Sequence, residues 1–196
     1  MEDTELGLVQ VYTGPGKGKT TAALGLAFRA AGHGFRVHMI QYMKGSCYAG
    51  ELQSIARAFP IITIAQYGRG CPYSALIRQG KQKCRGCGQC FIKDGQPSEE
   101  DHQMAQMAYH DSLKAAQGGE IQLLILDEIG NALRYNLVTV EQVLDLIKLK
   151  HQKTELVLTG RGIPKEVQAV AHLVTELSSV KHPYEHGISS RRGVEY

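Results

Sequence analysis

The chain has 196 residues, 43% of them apolar and 21% charged, with a formal net charge of +3. That length and composition predict one soluble globular domain spanning 1–196, with a sizeable core, and exclude disordered or fibrous classes. The charge is too small to point to nucleic acid, no apolar run reaches membrane-spanning length, and residues 1–5 hold no signal core, so a cytoplasmic protein with no nucleic-acid or membrane partner is expected.

The first element is an apolar run, Leu6-Gly7-Leu8-Val9-Gln10-Val11, which reads as a buried strand ending near Tyr12. Thr13-Gly14-Pro15-Gly16-Lys17-Gly18-Lys19-Thr20-Thr21 follows and runs into a helix from about Lys19 to Ala31. Strand, glycine-rich turn and helix together form a phosphate cradle. Backbone N–H groups curl into one concavity, and the helix N-terminus adds about half a positive charge. Thr13, Gly14, Gly16, Lys17, Gly18, Lys19, Thr20 and Thr21 are therefore the nucleotide-binding candidates. Lys19 is suited to reach a terminal phosphate and the Thr20 hydroxyl to meet Mg²⁺. The usual spacing puts the first glycine at Thr13, whereas here it comes one residue late, at Gly14.

Gly32-His33-Gly34 stops the helix, Arg36–Tyr42 is the second strand, Gly50–Phe59 a short helix broken by Pro60, and Ile61–Ala65 the third strand. Residues 67–97 fit neither period and form a cysteine-rich inserted segment. Four of the five cysteines lie there, as Cys71-x12-Cys84-x2-Cys87-x2-Cys90. Four thiolates at this spacing suit an iron–sulfur cluster or a closed zinc site, and the three close repeats lean towards iron–sulfur. A redox-sensitive loop of free thiols is the third reading. Cys47 stands apart, and the eight histidines show no metal-ligand pair on a helix.

Ser98-Glu99-Glu100-Asp101 opens a helix with a capping hydroxyl and first-turn acids, and Ala105, Ala108, Tyr109 and Ala116 share one face of it. Ile121–Leu126 is the most apolar strand and ends in Asp127-Glu128, an acidic pair suited to hold a phosphate-bridging Mg²⁺ and to orient a water or substrate. Thr139-Val140-Glu141-Gln142 caps a helix whose inward face is Val140, Val143, Leu144 and Ile147. Glu155–Thr159 is the fifth strand, with Arg161 just beyond it as either a phosphate contact or a surface turn residue. Pro164 opens another helix and Leu173–Leu177 is the last strand. Arg191 and Arg192 read as solvated charges unless the tail folds back over the site. Alternating strands and helices predict an α/β three-layer sandwich with a mostly parallel sheet and ligands at the strands' carboxyl ends.

Together these residues resemble the P-loop ATP:corrinoid adenosyltransferases, a family of RecA-like P-loop NTPase architecture. The resemblance is carried by Tyr12 to Ala23 with its late glycine, Arg29-Ala30-Ala31-Gly32-His33-Gly34, Gln41-Tyr42-Met43-Lys44-Gly45, Gly50-Glu51 and Leu126-Asp127-Glu128. It continues in Leu158-Thr159-Gly160-Arg161-Gly162, Leu173-Val174-Thr175-Glu176, Lys181-His182-Pro183-Tyr184 and Arg192-Gly193-Val194-Glu195-Tyr196. It implies attack of a reduced Co(I) corrinoid on the 5′ carbon of ATP with triphosphate as leaving group, and ATP bound in a direction reversed from most P-loop proteins. Lys19, Glu128 and Arg161 are then the catalytic candidates, and Thr20, Asp127 and Glu128 the Mg²⁺ partners. A homodimer and a protein reductant are also implied.

Two positions depart from the family. The cysteine segment stands where relatives carry an aromatic corrin-facing loop, with Tyr67, Tyr73 and Phe91 as substitutes, and Gly130 stands where relatives often have Asn. A [4Fe–4S] cluster on Cys71, Cys84, Cys87 and Cys90 would be placed to relay the electron that makes Co(I). A P-loop ATPase or kinase, and a nucleotide-binding redox or metal sensor, are the alternative readings.

Overall fold

The computed structural model describes residues 6–45, 48–92, 95–188 and 190–196. Cys47 lies outside them. Six strands form one sheet: β1 (Val9–Thr13), β2 (Val37–Tyr42), β3 (Ile62–Tyr67), β4 (Leu123–Asp127), β5 (Glu155–Thr159) and β6 (Leu173–Glu176). Their order is β3-β2-β4-β5-β1-β6, and every pairing is parallel. The expected α/β three-layer sandwich is therefore realised, with the sheet wholly rather than mostly parallel. Because all strands run one way, their carboxyl ends share one edge of the sheet, and β1 is joined to β2 by a crossover past β5 and β4.

The two faces follow from the period-2 alternation of side chains. Val37, Met39, Leu123, Ile125 and Val157 point to one side, where α1 (Lys19–Gly32) and α2 (Gly50–Ala58) cover them with Ala23, Ala27 and Ile55. Val9, Val11, Ile40, Tyr42, Leu124, Leu126, Leu156 and Leu158 point to the other. The cover there is α4 (Glu99–Gln117), α5 (Ile129–Arg134), α6 (Val140–Leu149) and α7 (Lys165–Ala169). β4 is buried at all five positions, as its unbroken apolar run requires of a central parallel strand.

Both expected helix starts carry reciprocal caps. Ser98 Oγ accepts from Asp101 N while the Asp101 carboxylate accepts from Ser98 N, and Thr139 and Gln142 do the same at α6. The anticipated α4 face, Ala105, Ala108, Tyr109 and Ala116, is buried. On α6 the fully buried pair is Val143 and Leu146, with Val140, Leu144 and Ile147 only partly covered. The inward face is thus rotated towards Leu146.

Two short helices were not expected. α3 (Ser74–Arg78) interrupts the segment read as wholly irregular, and α5 follows Asp127-Glu128 directly. Five and six residues are too few for a 3.6-residue period to show. β3 also runs two residues further than its β-branched core, to Tyr67.

Leu126 is fully buried at the centre of the sheet. Leu126→Ala should lower unfolding stability by about 2–5 kcal/mol through lost burial and the cavity left behind. The check is a fall in the urea midpoint with an unchanged slope.

Candidate functional site

At the carboxyl edge, β1 hands over to the glycine-rich loop. Gly18 adopts φ 115°, a left-handed turn that aims the chain into α1. The helix N-terminus has no side-chain cap, so its first-turn N–H groups face the loop's concavity. The loop also packs hard against the chain beyond β6. Gly16 N donates to Leu177 O at 2.7 Å, and a Cβ on Gly16 would lie 2.6 Å from that oxygen. Lys19 Nζ donates to the carbonyls of Gly14 and Gly16 at 2.8 and 2.6 Å. It is almost fully buried, and burial holds its pKa below the usual lysine value despite the nearby Glu128 and Asp127 charges.

Asp127 ends β4 with no exposed surface. Oδ1 accepts from the Thr20 hydroxyl at 2.8 Å and the Thr159 hydroxyl at 2.7 Å. Oδ2 accepts from Gln41 Nε2 at 3.1 Å and Lys44 Nζ at 2.7 Å. Burial alone would raise its pKa, but the Lys44 charge and these hydrogen bonds outweigh that and hold it below the usual carboxylate range. Glu128 takes a left-handed backbone, φ 62°, which turns the chain from β4 into α5. Its backbone N–H donates to Thr159 Oγ1, and its carboxylate accepts from Asn131 Nδ2 at 2.6 Å. Burial, then the Asp127 charge beside it, pushes the Glu128 pKa up.

Lys19, Thr20, Lys44 and Glu128 border a cleft of about 760 Å³. Its lining includes Gly16, Lys17, Gly18, Lys19, Thr20, Thr21, Lys44, Glu128 and Arg161, with Gly193 to Tyr196 opposite. Of the candidates, Thr13 lies below the loop, where its hydroxyl accepts from Ile163 N at 3.4 Å. Arg161 is exposed at the cleft mouth, close enough for its charge to help lower the Lys19 pKa. Asp127 sits behind the cleft wall and reaches it only through Thr20 and Lys44.

The tail does fold back over the site. Glu195 Oε1 accepts from Lys17 Nζ at 2.8 Å and from Arg191 Nη2 at 2.9 Å. The Arg191 and Lys17 partners hold the Glu195 carboxyl well below its usual range. Arg191 is thus paired rather than simply solvated.

Two polar partners of Asp127 belong to the family resemblance but had no role read from the sequence. Lys44 and Gln41 follow from β2 lying beside β4, a neighbour relation that spacing cannot reveal. The left-handed Met43, φ 58°, turns Lys44 back onto Asp127.

The cysteines are differently placed. Cys71 is buried, Cys90 half-buried, and Cys84 and Cys87 exposed; all four are free thiols. Among the described residues no three His, Cys, Asp or Glu side chains are arranged to hold a metal ion. In the cysteine set Cys84 and Cys87 are exposed while Cys71 is buried, and in the Mg²⁺ set Asp127 spends both oxygens on hydrogen bonds. Of the aromatic substitutes, Phe91 and Tyr73 are exposed, while the Tyr67 hydroxyl donates to Asp111 at 3.0 Å.

Asp127→Ala should cost about 3–5 kcal/mol by leaving the Lys44 charge unpaired. Since Asp127 titrates lower in the fold than in the unfolded chain, where its pKa is about 3.9, its contribution is present above that value. It is lost as pH falls through the folded value. Wild-type stability should therefore drop on acidification below about pH 4, and Asp127→Asn should flatten that limb of a denaturation series.

The family model described as ATP:corrinoid adenosyltransferase BtuR/CobO/CobP matches residues 5–196. A corrinoid adenosyltransferase of Sinorhizobium sp is 34% identical over 98% of this chain and 81% of its own. One from Pseudomonas aeruginosa is 30% identical over 98% and 85%, and one from Escherichia coli (strain K12) 27% identical over 98% and 87%. No helix among the described residues is long and apolar enough to cross a membrane. With a match along almost its whole length, and a phosphate loop, acidic pair and basic cleft on one sheet edge, the chain belongs to the ATP:corrinoid adenosyltransferase family.

Proposed function

We propose that this protein transfers the 5′-deoxyadenosyl group of ATP to a Co(I) corrinoid. The observation that carries the reading is the single cleft bordered by Lys19, Thr20, Glu128 and Arg161 in a chain of this family. The Co(I) electron pair forms the Co–C5′ bond, the C5′–O bond breaks, and triphosphate leaves with the bonding pair. The protein's task is to hold the whole triphosphate as leaving group. The loop N–H groups and α1 N-terminus bind it, while Lys19 and Arg161 stabilise the charge that develops on it.

Mg²⁺ fits the residues present. Thr20 donates its proton to Asp127, which leaves the hydroxyl lone pairs free to meet a cation. Glu128 is a largely desolvated carboxylate whose ionised form a cation would favour. Thr20 and Glu128 would hold the ion and Asp127 would orient Thr20. Bound there, Mg²⁺ supplies further positive charge against the triphosphate.

The finer reading extends to a zinc ion or iron–sulfur cluster on Cys71, Cys84, Cys87 and Cys90, supported by their spacing and shared loop. It extends also to a protein reductant, since Co(I) has to be made by reduction, and to a homodimer, supported by the family resemblance.

Incubation with ATP and chemically reduced corrinoid should yield adenosylcorrinoid and triphosphate together, without ADP. Corrinoid-independent release of ADP and phosphate at enzymatic rates would instead establish the ATPase reading. Lys19→Ala should cost about 2–4 kcal/mol of transition-state stabilisation, and Glu128→Gln should shift the Mg²⁺ dependence while leaving the denaturation midpoint close to wild type.

A further inference from the structure

Two pockets flank the nucleotide cleft, and their charges differ. The first, about 490 Å³, shares Arg161, His182, Ser190 and Glu195 with the cleft. Its lining sets Arg161 against two carboxylates, Glu185 and Glu195. The second, about 460 Å³, shares Gly50, Ser54, Gly193 and Tyr196 with the cleft. It is lined by three guanidiniums, Arg57, Arg78 and Arg192, and among the described residues by no Asp or Glu side chain. Glu51 of α2 lines the cleft instead. The main-chain oxygen of Tyr196 is taken up within the tail, where it accepts from Gly193 N at 2.7 Å.

Three separate stretches of chain supply the guanidiniums. Arg57 lies in the last turn of α2, on the face that carries Gln53 four residues earlier. Arg78 ends α3, and Arg192 comes from the tail. Arg192 Nη2 donates to the Arg78 carbonyl at 3.2 Å. Gly80 makes room for that guanidinium, since a Cβ there would lie 2.7 Å from Arg192 Nη1. Among the described residues none of the three arginines makes an ion pair. The apolar part of the pocket is Ile77, which is buried, and Phe59, half-buried with the Phe28 ring edge-on at 4.5 Å. Tyr48 and Tyr196, rings edge-on with centroids 4.7 Å apart, make one wall. Guanidiniums do not escape one another's repulsion by losing protons, so an anion is what relieves it. Their planar forks match the oxygens of carboxylate and phosphate.

We propose that this pocket is a subsite for an anionic group of the corrinoid, held by Arg57, Arg78 and Arg192. This rests on the adenosyl-transfer reading given under the proposed function, in which the corrinoid has to reach a carbon held in the cleft and so approaches along one flank. Corrinoids carry two kinds of anion: free carboxylates at the ring edge where amidation is incomplete, and the phosphodiester of the loop that bears the lower base. Both are oxygen anions that a guanidinium fork recognises, and both sit on substituents that reach beyond the ring. A pocket of about 460 Å³ suits such a substituent and not a whole corrin. The triphosphate has its own partners in the loop N–H groups, Lys19 and Arg161, which leaves these three arginines for the second substrate. At the other flank Glu185 and Glu195 would repel the same group.

The test uses the full chain with saturating ATP and three corrinoids in the Co(II) state, which bind without reacting because transfer needs Co(I). Cobinamide has neither anion, cobyrinic acid a,c-diamide has free carboxylates only, and cobalamin has the phosphodiester only. Affinities are read by ultrafiltration and visible absorbance. One of the two anionic corrinoids should bind about tenfold or more tightly than cobinamide, the size of one charge-assisted hydrogen bond. Which of the two does so identifies the source of the anion. Arg57→Gln combined with Arg78→Gln should remove most of that preference; both side chains are exposed, so the variant should fold as the wild type does. Arg192 is kept, because its bond to the Arg78 carbonyl also holds the tail. Equal wild-type affinities for all three corrinoids, or a double variant that keeps the preference, would each overturn the proposal. So would a loss of ATP affinity in the double variant as large as its loss of corrinoid affinity, which would assign the arginines to the nucleotide. Adenosyl transfer from chemically reduced corrinoid, assayed in parallel, tests the assigned chemistry separately. A preference without transfer would uphold the subsite and sink that chemistry, and transfer without a preference would do the reverse.

Discussion

One buried carboxylate organises the carboxyl edge of the sheet. Asp127 is fully enclosed, and an enclosed charge is tolerated only when paired and hydrogen-bonded. Its four donors come from different places: Thr20 in α1, Gln41 in β2, Lys44 beyond β2, and Thr159 in β5. Gln41 extends the network to β3 by accepting from Gln66 at 2.7 Å. The carboxylate therefore welds the phosphate loop's helix to three strands, and the cleft above inherits their rigidity. Rigid donors matter here because a leaving triphosphate gains most from charges that need not reorganise as its own charge develops.

The acidic neighbours divide the work by environment. Asp127 has a cation and three neutral donors, so it stays ionised and structural. Glu128 has Asn131 and a share of the cleft, so burial and the neighbouring Asp127 charge push its pKa up. Two adjacent acids at one strand end thus acquire opposite pKa directions, as their surroundings and not their sequence position dictate.

Much of this edge was legible in the sequence, and the reason is local. The phosphate loop, Asp127-Glu128 and Arg161 each end a recognisable apolar strand, and in a parallel sheet all such ends must meet on one side. What was not legible depends on non-local neighbours. Lys44 reaches Asp127 only because β2 lies beside β4 in the strand order. Glu195 reaches Lys17 across 178 residues of chain. The short helices α3 and α5 escaped because they are stabilised by what they pack on, Ile77 in one and Ile129, Ala132 and Leu133 in the other. The cysteine spacing was plain, yet spacing says nothing of where the sulfurs point.

The tail shows why an exposed segment can still be specific. Residues 191–196 bury little apolar surface, so the hydrophobic effect does not hold them. Their position instead comes from a carboxylate shared by Lys17 and Arg191, a guanidinium on a helix-end carbonyl, and one ring edge on another. Each is a surface contact screened by solvent, so the tail is only weakly held. A segment so weakly held on both sides responds to small changes in either neighbour, and here the neighbours are the phosphate loop and the cysteine segment. The chain thus sets a weakly held segment against the phosphate loop, while the Asp127 network ties the cleft floor together.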